Sequence, residues 1–196
     1  GQSCIAAKRV IVEAQVYDQL LGMLKTRLEK LKLGNPLNPE TDIGPIARAD
    51  LQENLHRQVI QSVHEGARCL LGGTLPDGDG YFYPPTLLAD VTPDMCAFTE
   101  ETFGPVLAVS KAEHFDDAIR QANATEYGLG AAIWTTSEAS IQLAIELLDA
   151  GQVAVNGIVK TDPRLPSGGI KKSGYGRELG PHGIKEFANA KQVWIA

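Results

Sequence analysis

The chain has 196 residues, of which 18 are basic and 24 acidic, for a formal charge of −6. That length supports one respectable hydrophobic core, and the acidic balance without a basic block argues against nucleic acid as a partner. No apolar run approaches membrane-spanning length and no signal peptide opens the chain, while three cysteines (Cys4, Cys69, Cys96) without metal-ligand spacing argue against a disulfide framework or a zinc site and fit a reducing cytoplasm.

The chain opens on Gly1-Gln2-Ser3-Cys4. A helix start over Ile5–Arg9 would strengthen the Cys4 thiol as a nucleophile, although the tetrapeptide by itself is read as a small buried hydrophobe. Val10-Ile11-Val12 predicts a short buried strand. Tyr17, Leu20, Leu24, Leu28 and Leu31 follow at helical spacing, with Gly34 as the stop. Lys25, Arg27, Lys30 and Lys32 gather toward that helix's C-terminal end, where the dipole favours cations, so they form a solvated face and not a binding patch.

After a loop with Pro36, Pro39 and Pro45, Asp50 and Glu53 form a capping-box pattern. The helix it opens turns Leu51, Leu55, Val59 and Val63 inward and stops at Gly66. His56 and His64 are read as helix-surface residues. Arg68–Leu71 predicts a strand, Gly72–Gly80 an exposed turn, and Tyr81-Phe82-Tyr83 hydrophobic packing. From Val106 the pattern alternates: strand Val106–Ser110, helix Phe115–Asn123, strand Ala131–Trp134, helix Glu138–Leu148 capped by Ser137 and stopped by Gly151, strand Val153–Val155. Such a βαβαβ order predicts right-handed crossovers and a mostly parallel sheet with helices on both faces. Ligands then belong beyond the carboxyl ends of the strands, in the Gly- and Pro-rich loop Asn156–Gly176. The last segment, Lys191–Ile195, has β-forming residues with no partner evident in the chain.

Three runs occur in order: Gly1-Gln2-Ser3-Cys4; Glu100-Glu101-Thr102-Phe103-Gly104-Pro105-Val106; and Gly168-Gly169-Ile170-Lys171-Lys172-Ser173-Gly174-Tyr175-Gly176-Arg177-Glu178. With Ile43-Gly44-Pro45, Tyr83-Pro84-Pro85-Thr86, Asn123–Leu129 and Val155-Asn156-Gly157 between them, the chain resembles the aldehyde dehydrogenase superfamily over essentially its whole length. Any one glycine-rich run would be weak evidence, whereas three in order are specific. Family members are more than twice this long, so the resemblance implies a C-terminal fragment that begins at the nucleophile motif. Residues 1–185 would then be part of the catalytic domain and 186–196 a terminal oligomerisation strand. The dinucleotide-binding domain would be absent.

The resemblance also assigns chemistry. Cys4 is the implied nucleophile, attacking an aldehyde to give a thiohemiacetal, then a thioester after hydride transfer to NAD or NADP, and finally the acid. Its backbone N–H would share in an oxyanion hole. Glu101 matches the residue that accepts hydrogen bonds from the nicotinamide ribose, and Phe103 the aromatic beside the nicotinamide ring. Glu100 is read as a solvated charge, Cys69 and Cys96 as packing residues. The general base and the oxyanion-hole asparagine would lie upstream, outside this chain.

The wording of Thr161-Asp162-Pro163-Arg164 and of Gly176–Gly183 is similar to bacterial succinate-semialdehyde dehydrogenases. It implies a short acidic aldehyde as substrate, with Thr161 and Arg164 near its carboxylate. Ser167 stands where the family usually has Phe, which removes part of an aromatic pocket wall. The partners expected are this small molecule and further copies of the chain, with no metal. Two rival readings are a cysteine hydrolase or acyltransferase using Cys4 with His182, and a non-catalytic assembly fragment.

Overall fold

A computed structural model describes residues 1–196, which divide into two compact units, Gly1–Gln121 and Ala122–Ala196. In the first unit, strands β1 (Arg9–Glu13), β2 (Arg68–Leu71), β3 (Thr86–Ala89) and β4 (Val106–Ala112) form one sheet in the order β1-β4-β3-β2. β4 runs parallel to both β1 and β3, with Val10 opposite Val109 and Leu87 opposite Leu107, while β2 is antiparallel to β3.

Alternation along these strands sends side chains to two cores, one on each face. Helix α1 (Tyr17–Leu28) sets Tyr17 and Leu21 against Val12, Leu87, Ala89 and Val109. Helix α2 (Ala49–His64) and the short α3 (Cys96–Thr99) set Leu55, Val59 and Phe98 against Tyr83, Leu88, Val106 and Ala108 on the other. Leu55 and Val59 are each 1% exposed, and burial of that completeness is worth about 1.5–3 kcal/mol per side chain. Helix α4 (Phe115–Asn123) follows β4.

The second unit contains two small sheets. β6 (Gly130–Ile133) and β7 (Gln152–Val155) pair in parallel around helix α5 (Glu138–Leu147). β5 (Tyr127–Gly128) and β8 (Ile170–Lys171) pair antiparallel, and helix α6 (Gly180–Glu186) follows. Ser137 caps α5 as expected, its hydroxyl accepting from the Ser140 N–H at 3.2 Å.

Parallel pairs and helices on both faces of the larger sheet make this an α/β fold, but the expected single sheet through Val106–Val155 does not form. β4 is an internal strand whose two edges are already taken by β1 and β3, so it offers none to β6, which pairs with β7 alone. Other local expectations also yield. The Asp50 carboxylate pairs with Arg48 (2.8 and 2.9 Å) and makes no cap bond, and Val63 is 37% exposed, not inward. No helix follows Cys4, because the chain turns at Ser3–Ala6 and enters β1. Lys191–Ile195 forms no strand.

Candidate active site

Because β1 and β4 are adjacent and parallel, the segments that precede them emerge at the same end of the sheet. The Cys4 turn precedes β1, and the Glu101–Phe103 loop precedes β4. The two backbones touch there. A Cβ added to Gly1 would lie 1.8 Å from the carbonyl oxygen of Gly104, so only glycine fits this end of the cysteine motif. This meeting is at the amino ends of β1 and β4.

Lys8, one residue before β1, ties the two segments together. Its ammonium donates to the carbonyls of Gly1 and Ser3, both at 2.8 Å, and stands 4.6 Å from the centroid of the Phe103 ring. Burial pushes the Lys8 ammonium below its usual range, while the fields of Glu101 and Cys4 favour the charged form. Cys4 is exposed within its turn, which the Ala6 N–H closes onto the Ser3 carbonyl at 3.1 Å.

Helix α2 supports both segments from behind. Ahead of it, the Ala47 N–H donates to the Gln2 side chain at 3.2 Å. Gly104 fits closely against Leu55 and Ile46. Gln58, 2% exposed, gives its amide N–H groups to the Glu101 carbonyl (3.2 Å) and the Glu100 carboxylate (2.9 Å). Glu100 also pairs with Arg57 at 2.5 Å, and the Arg57 guanidinium, followed by the Gln58 amide, holds its carboxyl below the usual carboxylate range. Glu100 is therefore exposed, as a solvated charge was expected to be, and is also half of an ion pair. Glu101, anchored through its backbone, is exposed, and Phe103 is half-buried. An exposed carboxylate is the right acceptor for a vicinal diol, and a half-buried ring the right neighbour for a flat heterocycle, so these residues fit the nicotinamide–ribose end of a dinucleotide.

Lys8 and Gln58 were not singled out in the sequence. Gln58 carried a signal, since it lies three residues after Leu55 on the inward stripe of α2, where a polar residue needs partners. Lys8 carried none, because its role comes from a contact with Phe103, ninety-five positions away (103 − 8 = 95).

Of the other cysteines, Cys69 is exposed, contrary to the packing role read from the sequence. Cys96 is buried, and desolvation pushes its thiol up, while the Cys69 thiol, raised for the same reason, contacts the Leu71 and Gly72 carbonyls at 3.3 and 3.6 Å.

Thr161, Arg164 and Ser167 belong to the second unit. Thr161 is exposed. Arg164 is already engaged, its guanidinium gripping Asp162 at 2.7 and 2.9 Å, and this pair lowers the Asp162 carboxyl. Ser167 exchanges both backbone hydrogen bonds with Glu178 at 2.8 Å. In the third motif, Arg177 donates to the Gly169 and Gly176 carbonyls (2.9 and 2.6 Å), and Lys171 reaches Asp149 (3.3 Å) and the Asn123 carbonyl (3.1 Å). These cations brace the loop internally. No helix of the chain is long and apolar enough to cross a membrane.

Comparison with known proteins places these residues in a wider setting. A family model described as Aldehyde dehydrogenase family matches residues 1–193. The whole chain is 49% identical to a succinate-semialdehyde dehydrogenase [NADP(+)] of Mycobacterium leprae and 47% identical to one of Mycobacterium tuberculosis, spanning 43% of the length of each. Among solved structures, an NAD-dependent aldehyde dehydrogenase from Sinorhizobium meliloti superposes with a TM-score of 0.92 at 40% identity, covering 95% of this chain and 37% of that one. A lactaldehyde dehydrogenase from Escherichia coli gives 0.92 at 38% identity, covering 95% and 39%.

Proposed function

The chain belongs to the aldehyde dehydrogenase family, and from that premise we propose that it is the nucleophile-bearing part of an NAD(P)-dependent enzyme that oxidises a short acidic aldehyde, succinate semialdehyde first among them. The observation that carries the reading is the joining of the Cys4 turn to the Glu101–Phe103 loop, through the contact of Gly1 with Gly104 and the bridge made by Lys8. In the proposed reaction the Cys4 sulfur adds to the aldehyde carbon and the carbonyl oxygen takes up a proton, giving a thiohemiacetal. Bound NAD(P)+ supplies the hydride acceptor. Loss of hydride from the thiohemiacetal carbon and of the hydroxyl proton leaves a thioester, which water cleaves to the carboxylic acid with return of the thiol.

Within this scheme Glu101 accepts hydrogen bonds from the ribose hydroxyls, and Phe103 bounds the nicotinamide ring. The names of the mycobacterial relatives favour NADP over NAD and succinate semialdehyde over an uncharged aldehyde. Thr161, Arg164 and Ser167 are proposed to face the substrate, with Arg164 exchanging Asp162 for the substrate carboxylate. Residues 1–185 are proposed as catalytic-domain structure and 186–196 as an assembly segment pairing with another copy, in a cytoplasmic enzyme. The residues that grip the rest of the cofactor and the general base are proposed to lie outside residues 1–196, so the chain alone is expected to carry a reactive thiol without turnover.

The test is made in the full-length protein that contains this chain. Succinate-semialdehyde-dependent NADPH formation is followed at saturating cofactor for the parent and for Cys4→Ser. Loss of turnover by at least about 1,000-fold, with the fold retained, is the expected result. Turnover near the parent rate in Cys4→Ser would remove Cys4 from the reaction.

A further inference from the structure

Lys8 holds a fixed positive charge beside the proposed nucleophile. Two of its three N–H donors are committed to the carbonyls on either side of Gln2, and the ammonium rests against Phe103, so it is held in one place and not swinging in solvent. Arg164, the cation expected from the sequence to meet an acidic substrate, spends its fork on Asp162 and is 86% exposed. We propose that Lys8 is a specificity-determining residue of the site, making the approach to Cys4 electropositive so that electrophiles carrying a carboxylate reach the sulfur faster than neutral ones. This deepens the proposed function and rests on its assignment of Cys4 as the nucleophile.

Three features carry the inference. The Lys8 ammonium is tied to the Cys4 turn by two hydrogen bonds, to the Gly1 and Ser3 carbonyls. Cys4 lies within electrostatic reach of that ammonium. The opposing charge that faces Lys8 is Glu101, which acts from the β4 side. An anionic electrophile therefore meets the fields of a tethered cation and of a carboxylate, so neutralising Lys8 should lower the preference for it and neutralising Glu101 should raise it.

The experiment measures alkylation of Cys4 in the full-length protein that contains this chain, at pH 7, by iodoacetate and by iodoacetamide, reagents of nearly equal size that differ by one negative charge. Peptide mass spectrometry separates Cys4 from Cys69 and Cys96. The rate ratio of anionic to neutral reagent is normalised to the same ratio for glutathione. Lys8→Met is expected to lower that ratio about 3–10-fold, Lys8→Arg to keep it within about twofold, and Glu101→Gln to raise it. In the unsubstituted chain the ratio should fall toward the glutathione value as salt rises from about 0.05 to about 1 M. If Lys8→Met does not fold, Lys8→Gln, which keeps an N–H donor for the Gly1 and Ser3 carbonyls while removing the charge, takes its place. A ratio indifferent to Lys8→Met, or in its absence to Lys8→Gln, overturns the inference while leaving Cys4 as a nucleophile. Cys4 alkylation by iodoacetamide no faster than that of Cys69 overturns the underlying assignment instead.

Discussion

Replacing Gly104 by Ala should strain the junction between the two halves of the candidate site. The new Cβ would sit 2.3 Å from Cδ2 and 3.4 Å from Cδ1 of Leu55, and 3.3 Å from Cδ1 of Ile46. Leu55 is 1% and Ile46 4% exposed, so neither side chain has open space to enter. Forcing one extra methyl into such packing costs about 1–3 kcal/mol. In a chain of this size each kcal/mol lowers the melting temperature by roughly 2–4 °C. Leu55→Ala alone should cost about 2–5 kcal/mol by leaving a cavity. The double variant is the informative one, because the methyl introduced by Gly104→Ala then enters the space that Leu55 has vacated. Urea denaturation of the parent, both single variants and the double should therefore give a total loss at least about 1 kcal/mol smaller than the sum of the singles. Additivity to within about 0.5 kcal/mol would refute the contact between Gly104 and Leu55, and with it the account of how α2 fixes the loop.

Gly22 offers the opposite case, since it lies inside α1 with nothing within 4 Å of its missing Cβ; Gly22→Ala should raise stability by about 0.5–1 kcal/mol in the same urea assay. Glu100, whose carboxyl is held below its usual 4.5 by Arg57, contributes stability that is fully present above that value and is lost as the pH falls through the lowered one. The pair is nearly half exposed, so the contribution is at most about 1 kcal/mol, and the stability gap between the parent and Glu100→Gln should close as the pH falls below 4.5; a gap that widens on acidification contradicts the pairing. In the full-length enzyme, Arg164→Ala should raise KM for succinate semialdehyde more than for an uncharged aldehyde of equal length, and equal losses for both would count against a carboxylate contact.

What the sequence by itself determined lies mostly within single elements. The strand at Val10–Val12, the inward Leu55 and Val59 of α2, the Ser137 cap of α5 and the three ordered motifs follow from periods and short-range bonding that need no knowledge of the rest of the chain. Tertiary structure decided what those elements met. The regular βαβαβ alternation could not reveal that both edges of β4 are taken, because strand pairing depends on which edge is available and not on local pattern. Asp50 had the residue type and position for a capping box, yet the neighbouring Arg48 offered its carboxylate a charge-assisted partner. Cys4, Glu101 and Phe103 were legible as motifs, whereas the approach of the two segments that carry them, at the amino ends of β1 and β4, came from a parallel register between distant segments. Lys8 touches Phe103 and Gln58 donates to the Glu101 carbonyl across more than forty residues, a distance over which one sequence carries no periodic signal and only the folded chain brings the two groups together.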